Sequence, residues 1–352
     1  MKIWIDVLTP KQVNFFAPLS RRLQRKGHRV TLTTRVYREA NQMLAALRID
    51  ATKIGQHGGA DLRQKLTSST KRIEKLIPFV NKIAPNICIS FSSPEAARVS
   101  FGLGVPHLCI SDSPHAEAVS RLTVPLSRKL FTPSVIPKEA WTRYGISRGN
   151  IVHYDALDPV VWLRDFSPDR KILERLGLEE SRPIVILRSA ESRAAYLSNI
   201  ATTPDLMVSL SKALIRRLPN LQIVLLSRYD LSGFLKKHVP ATVTVPSTIV
   251  DSSSLLSYAD VFVGGGGTMT AEAALLGVPT ISCYPSEPTY VDKFLIRRGL
   301  LERRTALETI VSRSVHLLSK GKGRERKTRA QTLLDGMEDP LAYIEGEVAR
   351  FV

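Results

Sequence analysis

The chain has 352 residues, 43% of them hydrophobic and 23% charged, which suffices for two domains with cores of their own and is too apolar for a disordered segment. Its net charge of +18 is lopsided: residues 1–150 hold 24 Lys and Arg against 9 Asp and Glu, whereas residues 151–352 hold 26 against 23. No apolar run nears the roughly 18–20 residues of a membrane span, and neither the three cysteines nor the seven histidines show disulfide or metal spacing, so a cytoplasmic protein with no held metal or cofactor is expected.

In chain order, "MKIWIDVLTP" has a short apolar run and no small-residue cleavage site, which reads as a first strand and not a signal peptide. Further strands are expected at "HRVTLTT", "NICISF", "HLCIS" and "KLFTP". Helices fall between them over Phe15–Arg25, Val36–Leu47 and Leu62–Ile83; in the last, Leu62, Leu66, Ile73, Leu76, Ile77 and Val80 follow a 3.6-residue period. An irregular stretch runs from Trp141 to Arg182. The plan then repeats, with strands at "PIVILRS", "LQIVLLS", "TVTVP", "DVFVG" and "PTISCY" and helices over Asp205–Leu218, Thr268–Leu276 and Tyr290–Arg298. "KGKGRERKTRAQ" is a charged linker or a solvated helix, and beyond Asp335 a final helix sets Leu341, Ile344, Val348 and Phe351 on one side.

Two β-α-β series of this kind predict an α/β protein of two doubly wound parallel-sheet, Rossmann-like domains, residues 1–160 and 161–334. Such sheets bind ligands beyond the carboxyl ends of their strands, where strand order reverses, and two domains facing a cleft make that cleft the expected site. The basic N-terminal half is either a solvated face or a partner for something anionic, a phosphate-bearing substrate or a peripheral membrane contact. Nucleic acid is not expected, because no aromatic-interleaved basic motif occurs.

The most informative stretch is "VFVGGGGTMTAEAALLGVPTISCYP", Val261 to Pro285. Glycines after a strand and before a helix let a backbone approach an anion that faces the N–H groups of the helix start. A tight turn would need one or two glycines, and Gly264 to Gly267 make four. A P-loop is excluded by the lack of GK[ST], and a Rossmann dinucleotide site would place glycines after the first strand, where "DVLTPKQVNFF" stands. Glu272 sits four residues after Thr268, one too many for a capping box. Its carboxylate is either exposed on the helix or placed to accept both hydroxyls of a ribose.

Strand, glycines, a helix with Glu272 and then "LLGVP" resemble the nucleotide-binding motif of GT-B-fold nucleotide-sugar enzymes, in particular UDP-N-acetylglucosamine 2-epimerases and the N-acetylglucosaminyltransferase of peptidoglycan synthesis. In both, a glutamate five residues before the glycine of a G-x-P turn binds the ribose, a spacing matched by Glu272, Gly277 and Pro279. "TPKQVNFFAPL" resembles the epimerase's first loop and helix, and "SRLTVPLSRKLFTPS" (Ser120 to Ser134) resembles another of its segments. Over its whole length the chain looks most like an uncharacterised, largely archaeal family of GT-B-like proteins, on "KIWID", "HGG" at His57, "ARVSFGLGVP" and "GGTMTAEAALLGVP". The resemblance implies a GT-B-like fold whose C-terminal helix, within 335–352, crosses back to the first domain. It places the nucleotide diphosphate on Arg188, Gly265, Gly266, Gly267, Thr268 and Glu272, and it puts Thr9, Asn14, His57, Ser92, Ser93 and Arg121 on the sugar and acceptor side.

Departures from those families bear on the chemistry. The epimerases' histidine- and arginine-bearing run is replaced by "LRSAESRAAY", with Arg188 and Arg193 and no histidine; Ser92 or Ser93 stands near the place of an epimerase aspartate. Asn14 stands where the peptidoglycan enzyme has a histidine, so a base would have to come from Asp112, His115 or Glu117 in "SDSPHAEAVSR", unless these only cap the next helix. Three functions follow: a GT-B glycosyltransferase that moves a sugar from a nucleotide diphosphate to an anionic or lipid-phosphate acceptor, a 2-epimerase-like isomerase, and a non-catalytic nucleotide-sugar-binding protein.

Overall fold

The computed structural model describes residues 1–59, 61–189, 204–227, 232–321 and 323–351. They form two compact units: Met1–Trp162 with Met337–Val352, and Leu163–Gly336.

The first unit is built on strands β1 (Lys2–Val7), β2 (Arg29–Val36), β3 (Thr52–Gln56), β4 (Ile87–Phe91), β5 (His107–Ile110), β6 (Lys129–Pro133) and β7 (Ile151–Tyr154). They lie parallel in the order β3-β2-β1-β4-β5-β6-β7. The central strands read as nearly continuous apolar runs because helices cover both faces: all five residues of β4, and every residue of β1 after Lys2, are buried. At the edge, β3 buries Ile54 alone. Strand order reverses between β1 and β4, so the chain segments after Val7 and Phe91 flank the switch point.

Helix Leu62–Ile83 has the bounds its periodicity predicts; Asp61 caps it by accepting from the Gln64 N–H at 2.8 Å. Its packed stripe is shorter than the pattern suggests. Leu76 and Val80 join Trp4, Ile54 and Cys88 in one apolar cluster, whereas Leu62 and Leu66 remain 71% and 70% exposed because that cluster engages only the later turns. The last helix, Pro340–Ala349, buries Leu341, Ile344 and Val348 within the same unit. There the Asp155 N–H donates to Glu338 at 2.5 Å, and Arg22 pairs with Asp339 and Glu345.

The second unit carries strands β8 (Ile184–Arg188), β9 (Gln222–Leu226), β10 (Val243–Thr244), β11 (Val261–Gly264), β12 (Thr280–Ser282) and β13 (Glu302–Arg303). All pair in parallel, in the order β10-β9-β8-β11-β12-β13, and the reversal falls between β8 and β11. The charged stretch near the end is a helix, Arg324–Asp335, that buries Ala330 and Leu334. The three cysteines are buried and unpaired. Among the described residues no helix is long and apolar enough to cross a membrane.

Candidate functional site

In the second unit the switch point gathers the residues singled out by the sequence. Arg188 ends β8 in direct register with Gly264, the last residue of β11, and the Gly265 N–H donates to the Arg188 carbonyl at 3.0 Å. The half-buried guanidinium and the glycine run therefore leave the sheet side by side. Gly264 is held by space: a Cβ there would lie 2.5 Å from the Phe262 ring. Gly266 and Gly267 are held by conformation, with φ of 83° and 86°. Gly267, with ψ of −169°, occupies a region open only to glycine and serves as the N-cap of helix Thr268–Leu275, with no side-chain cap. The first N–H groups of that helix accordingly have no acceptor inside it and carry its positive dipole end.

Glu272 lies one turn into this helix and is 4% exposed, not solvated. Its carboxylate accepts from the Ser252 hydroxyl at 3.3 Å. Thr270, on the same first turn, is fully buried and its hydroxyl has no hydrogen-bond partner among the described residues. Thr268 is half-buried at the helix start. Arg193 lies outside the described residues.

In the first unit the loops at the carboxyl ends of the strands hold a second polar cluster. Lys11, in the first turn of helix Pro10–Arg25, places its ammonium 2.5 Å from Asp112 and 2.7 Å from Asp158, and 4.2 Å from the centre of the Phe91 ring. Asp158 also accepts from the Tyr154 hydroxyl at 2.6 Å, and Asp112 from Ser113 at 2.8 Å. Burial disfavours charge on Lys11, but its two aspartates outweigh this and raise it above the usual lysine value. Asp112 is pushed up by burial and pulled back further by the Lys11 ammonium, so it lies below the usual carboxylate range. Asp158 is fully buried and has Asp112 as a like-charged neighbour; it is pushed up to about 6 although Lys11 opposes the rise. Asp112 is the most exposed member of the group, at 22% side-chain exposure against 15% for Lys11.

Beneath this cluster lies a buried ionic frame. Asp6 of β1 binds both Arg72 terminal nitrogens, at 2.6 and 3.0 Å, and accepts from Thr33 and Ser93, each at 2.6 Å. Arg72 also donates to the Ile54 carbonyl at 2.9 Å and lies 3.6 Å from Glu95. Burial favours a neutral Asp6, yet Arg72 and the hydroxyl donors hold its carboxyl below the usual range.

The predicted residues of this unit are distributed unevenly. Thr9 is the N-cap of the first helix and Asn14 is half-buried on it, both close in sequence to Lys11. Ser92 stands at the switch point with φ of 52°, a left-handed conformation rare for serine, and donates to the Ile110 carbonyl at 3.1 Å. Ser93 is fully buried and its hydroxyl is committed to Asp6 and to capping helix Pro94–Gly102. Glu117 and Arg121 form an exposed i,i+4 ion pair at 2.7 Å, and His115 is half-buried in the preceding loop. His57 belongs to a separate groove beside β3. Lys11, Asp158, Asp6 and Arg72 were not singled out by the sequence; the one signal was Asp6, a charge inside an otherwise apolar strand. Among the described residues no group of three or more His, Cys, Asp or Glu is arranged to hold a metal ion.

A family model described as "Protein of unknown function (DUF354)" matches residues 1–345. An uncharacterized protein of Methanocaldococcus jannaschii is 28% identical over 317 residues, 89% of this chain and 90% of that protein. The UDP-GlcNAc 2-epimerase of Neisseria meningitidis, solved with UDP-GlcNAc bound, superposes with a TM-score of 0.76 at 16% identity, covering 99% of each chain. The spinosyn forosaminyltransferase superposes with a TM-score of 0.65 at 14% identity, covering 100% of this chain and 99% of that one. At such identities the likeness concerns the fold, which is that of GT-B glycosyltransferases and 2-epimerases.

Proposed function

This chain belongs to the DUF354 family, and we propose that it is a nucleotide-sugar-dependent glycosyltransferase of GT-B type that acts on an anionic acceptor. The observation that carries this reading is the second unit's switch point, where Arg188 and the glycine run leave adjacent strands and a buried Glu272 follows one helical turn later. A diphosphate would lie against Gly265, Gly266, Gly267 and Thr268, with Arg188 offsetting its charge. Glu272 would accept the two ribose hydroxyls. Stabilising the leaving diphosphate through fixed N–H groups and a guanidinium is electrostatic catalysis that costs no reorganisation during the reaction.

On the first unit Asp112 suits the role of base. It is ionised at neutral pH and partly open to solvent, and Lys11 fixes its orientation. In the transfer an acceptor hydroxyl gives its proton to a general base while its oxygen bonds to the anomeric carbon. The bond from that carbon to the diphosphate breaks, and its electron pair leaves with the nucleotide. Lys11 and Asp158 would spread the charge change over three groups.

A second reading, a 2-epimerase-like isomerase, is favoured by the same aspartate–lysine cluster, which could take and return a proton at the sugar C2 without an acceptor. The two readings separate in heavy water. UDP-N-acetylglucosamine is incubated with the protein and its C2 proton followed by NMR, with released UDP measured alongside. The transferase reading predicts a protonated C2 and UDP release that requires a phosphorylated acceptor. Deuterium at C2 without an acceptor would contradict it.

A further inference from the structure

The first unit carries a groove of about 1240 Å³ between β3 and helix Leu62–Ile83 that shares no lining residue with the Lys11–Asp112 cluster. Four cations line it: Lys53 from β3, and Arg63, Lys71 and Lys75 from one side of the helix. The acid among the lining residues, Asp61, is already occupied in capping the helix. Four ammonium and guanidinium groups facing one space repel one another, and the carboxylate of Asp61 offsets one of the four charges.

The walls of this groove are fixed. Arg72, 1% exposed, is tied to Asp6 of β1 and to the Ile54 carbonyl of β3, so it clamps the helix to the strand behind the groove. Gly55 closes on the Arg72 stem, where a Cβ would lie 2.8 Å from Cγ; at Gly58 a Cβ would lie 2.5 Å from the Lys65 Cα. Only glycine lets strand and loop approach the helix this closely. His57, in the connecting loop, stacks on Tyr37 with ring centroids 5.1 Å apart, and its Nδ1 accepts from the Gly59 N–H at 3.0 Å.

We propose that this groove is a second anion site, one that takes the phosphate of a phosphate ester. Four exposed cations around a groove whose backbone walls are held by Arg72 and the glycines, with the His57 ring and a loop backbone between them, form a receptor of net positive charge for a compact multivalent anion. Among the described residues Val36 is the one aliphatic side chain of the lining, which favours a water-soluble ester over the headgroup of a lipid. That the ester is the acceptor of a glycosyl transfer rests on the function proposed above; that the groove binds phosphate does not.

The test follows the His57 ring by NMR in histidine-labelled protein, assigned with His57→Gln, while inorganic pyrophosphate or glucose 6-phosphate is added at low ionic strength. A saturable shift is expected, weakened about tenfold or more in the exposed double variant Lys71→Gln/Lys75→Gln. UDP affinity, measured separately, should be unchanged in that variant. Loss of UDP binding by the wild type would overturn the nucleotide-sugar function and leave the groove proposal standing. An unmoved His57 resonance would overturn the groove proposal and leave the nucleotide site standing. In a parallel arm, sedimentation with phosphatidylglycerol vesicles but not phosphatidylcholine vesicles, together with no response to the soluble esters, would overturn it in favour of a membrane surface.

Discussion

Asp6 is fully buried in a strand whose neighbours are Trp4, Ile5 and Val7, and an ionised carboxylate there is tolerated only because Arg72 and two hydroxyls surround it. Arg72→Met removes the counter-charge and leaves the carboxylate buried. Urea unfolding should show a loss of about 3–5 kcal/mol, with part of it recovered by adding Asp6→Asn. An unchanged midpoint would mean that the pair is not the clamp described. His107 offers a second check at this scale. It is buried, with its ring nitrogens 2.8 Å from the Ser90 hydroxyl and 3.0 Å from that of Ser127, and burial lowers its pKa to about 4. Between about 4 and 6.5 the unfolded chain binds a proton that the folded chain does not, so stability falls as pH falls through that window. The loss should reach about 3 kcal/mol at the acid end, and His107→Gln should flatten the profile of unfolding free energy against pH.

At the level of elements, the glycine run turns out to have structural duties of its own. Gly264 faces the Phe262 ring, and Gly266 and Gly267 need positive φ, so the turn itself accounts for three of the four glycines. The strand register of Arg188 and the burial of Glu272 therefore point to an anion site more than the number of glycines does. Gly267→Ala should cost about 1–3 kcal/mol of stability in chemical denaturation and weaken UDP binding as well. A substitution that left both unchanged would remove the loop from the account. The glycine–helix element, the central strands and helix Leu62–Ile83 were legible in the sequence because they combine unbroken apolar runs with strong stop signals. Of the edge strands, β10 was legible in "TVTVP", and β3, β7 and β13 were not. β3 buries one residue of five, β7 two of four, and β13 is two half-buried residues, so none has the apolar pattern that announces a strand. The Lys11–Asp112–Asp158 cluster was only partly visible, since its members lie 101 and 46 positions apart in the chain and meet through the sheet order.

For the whole molecule, two parallel sheets each reverse strand order at one point, and each reversal gathers polar groups of a different kind. The second unit offers a guanidinium, glycines and a buried carboxylate; the first offers an aspartate–lysine cluster and, at the far strand, a cationic groove. The excess of basic residues in 1–150 is thus concentrated partly into a shaped surface, not merely spread over solvated helices. Nucleotide binding by the second unit is the step on which the proposed chemistry depends. Its most direct test is a thermal-unfolding screen of the full chain against UDP-, GDP- and dTDP-sugars, repeated with Glu272→Ala. At a hundred times its dissociation constant a true ligand should stabilise the fold by about 2.7 kcal/mol, and that gain should be largely absent in the variant. If no nucleotide sugar raises the melting temperature, or if Glu272→Ala responds as the wild type does, the nucleotide site is not where this account puts it.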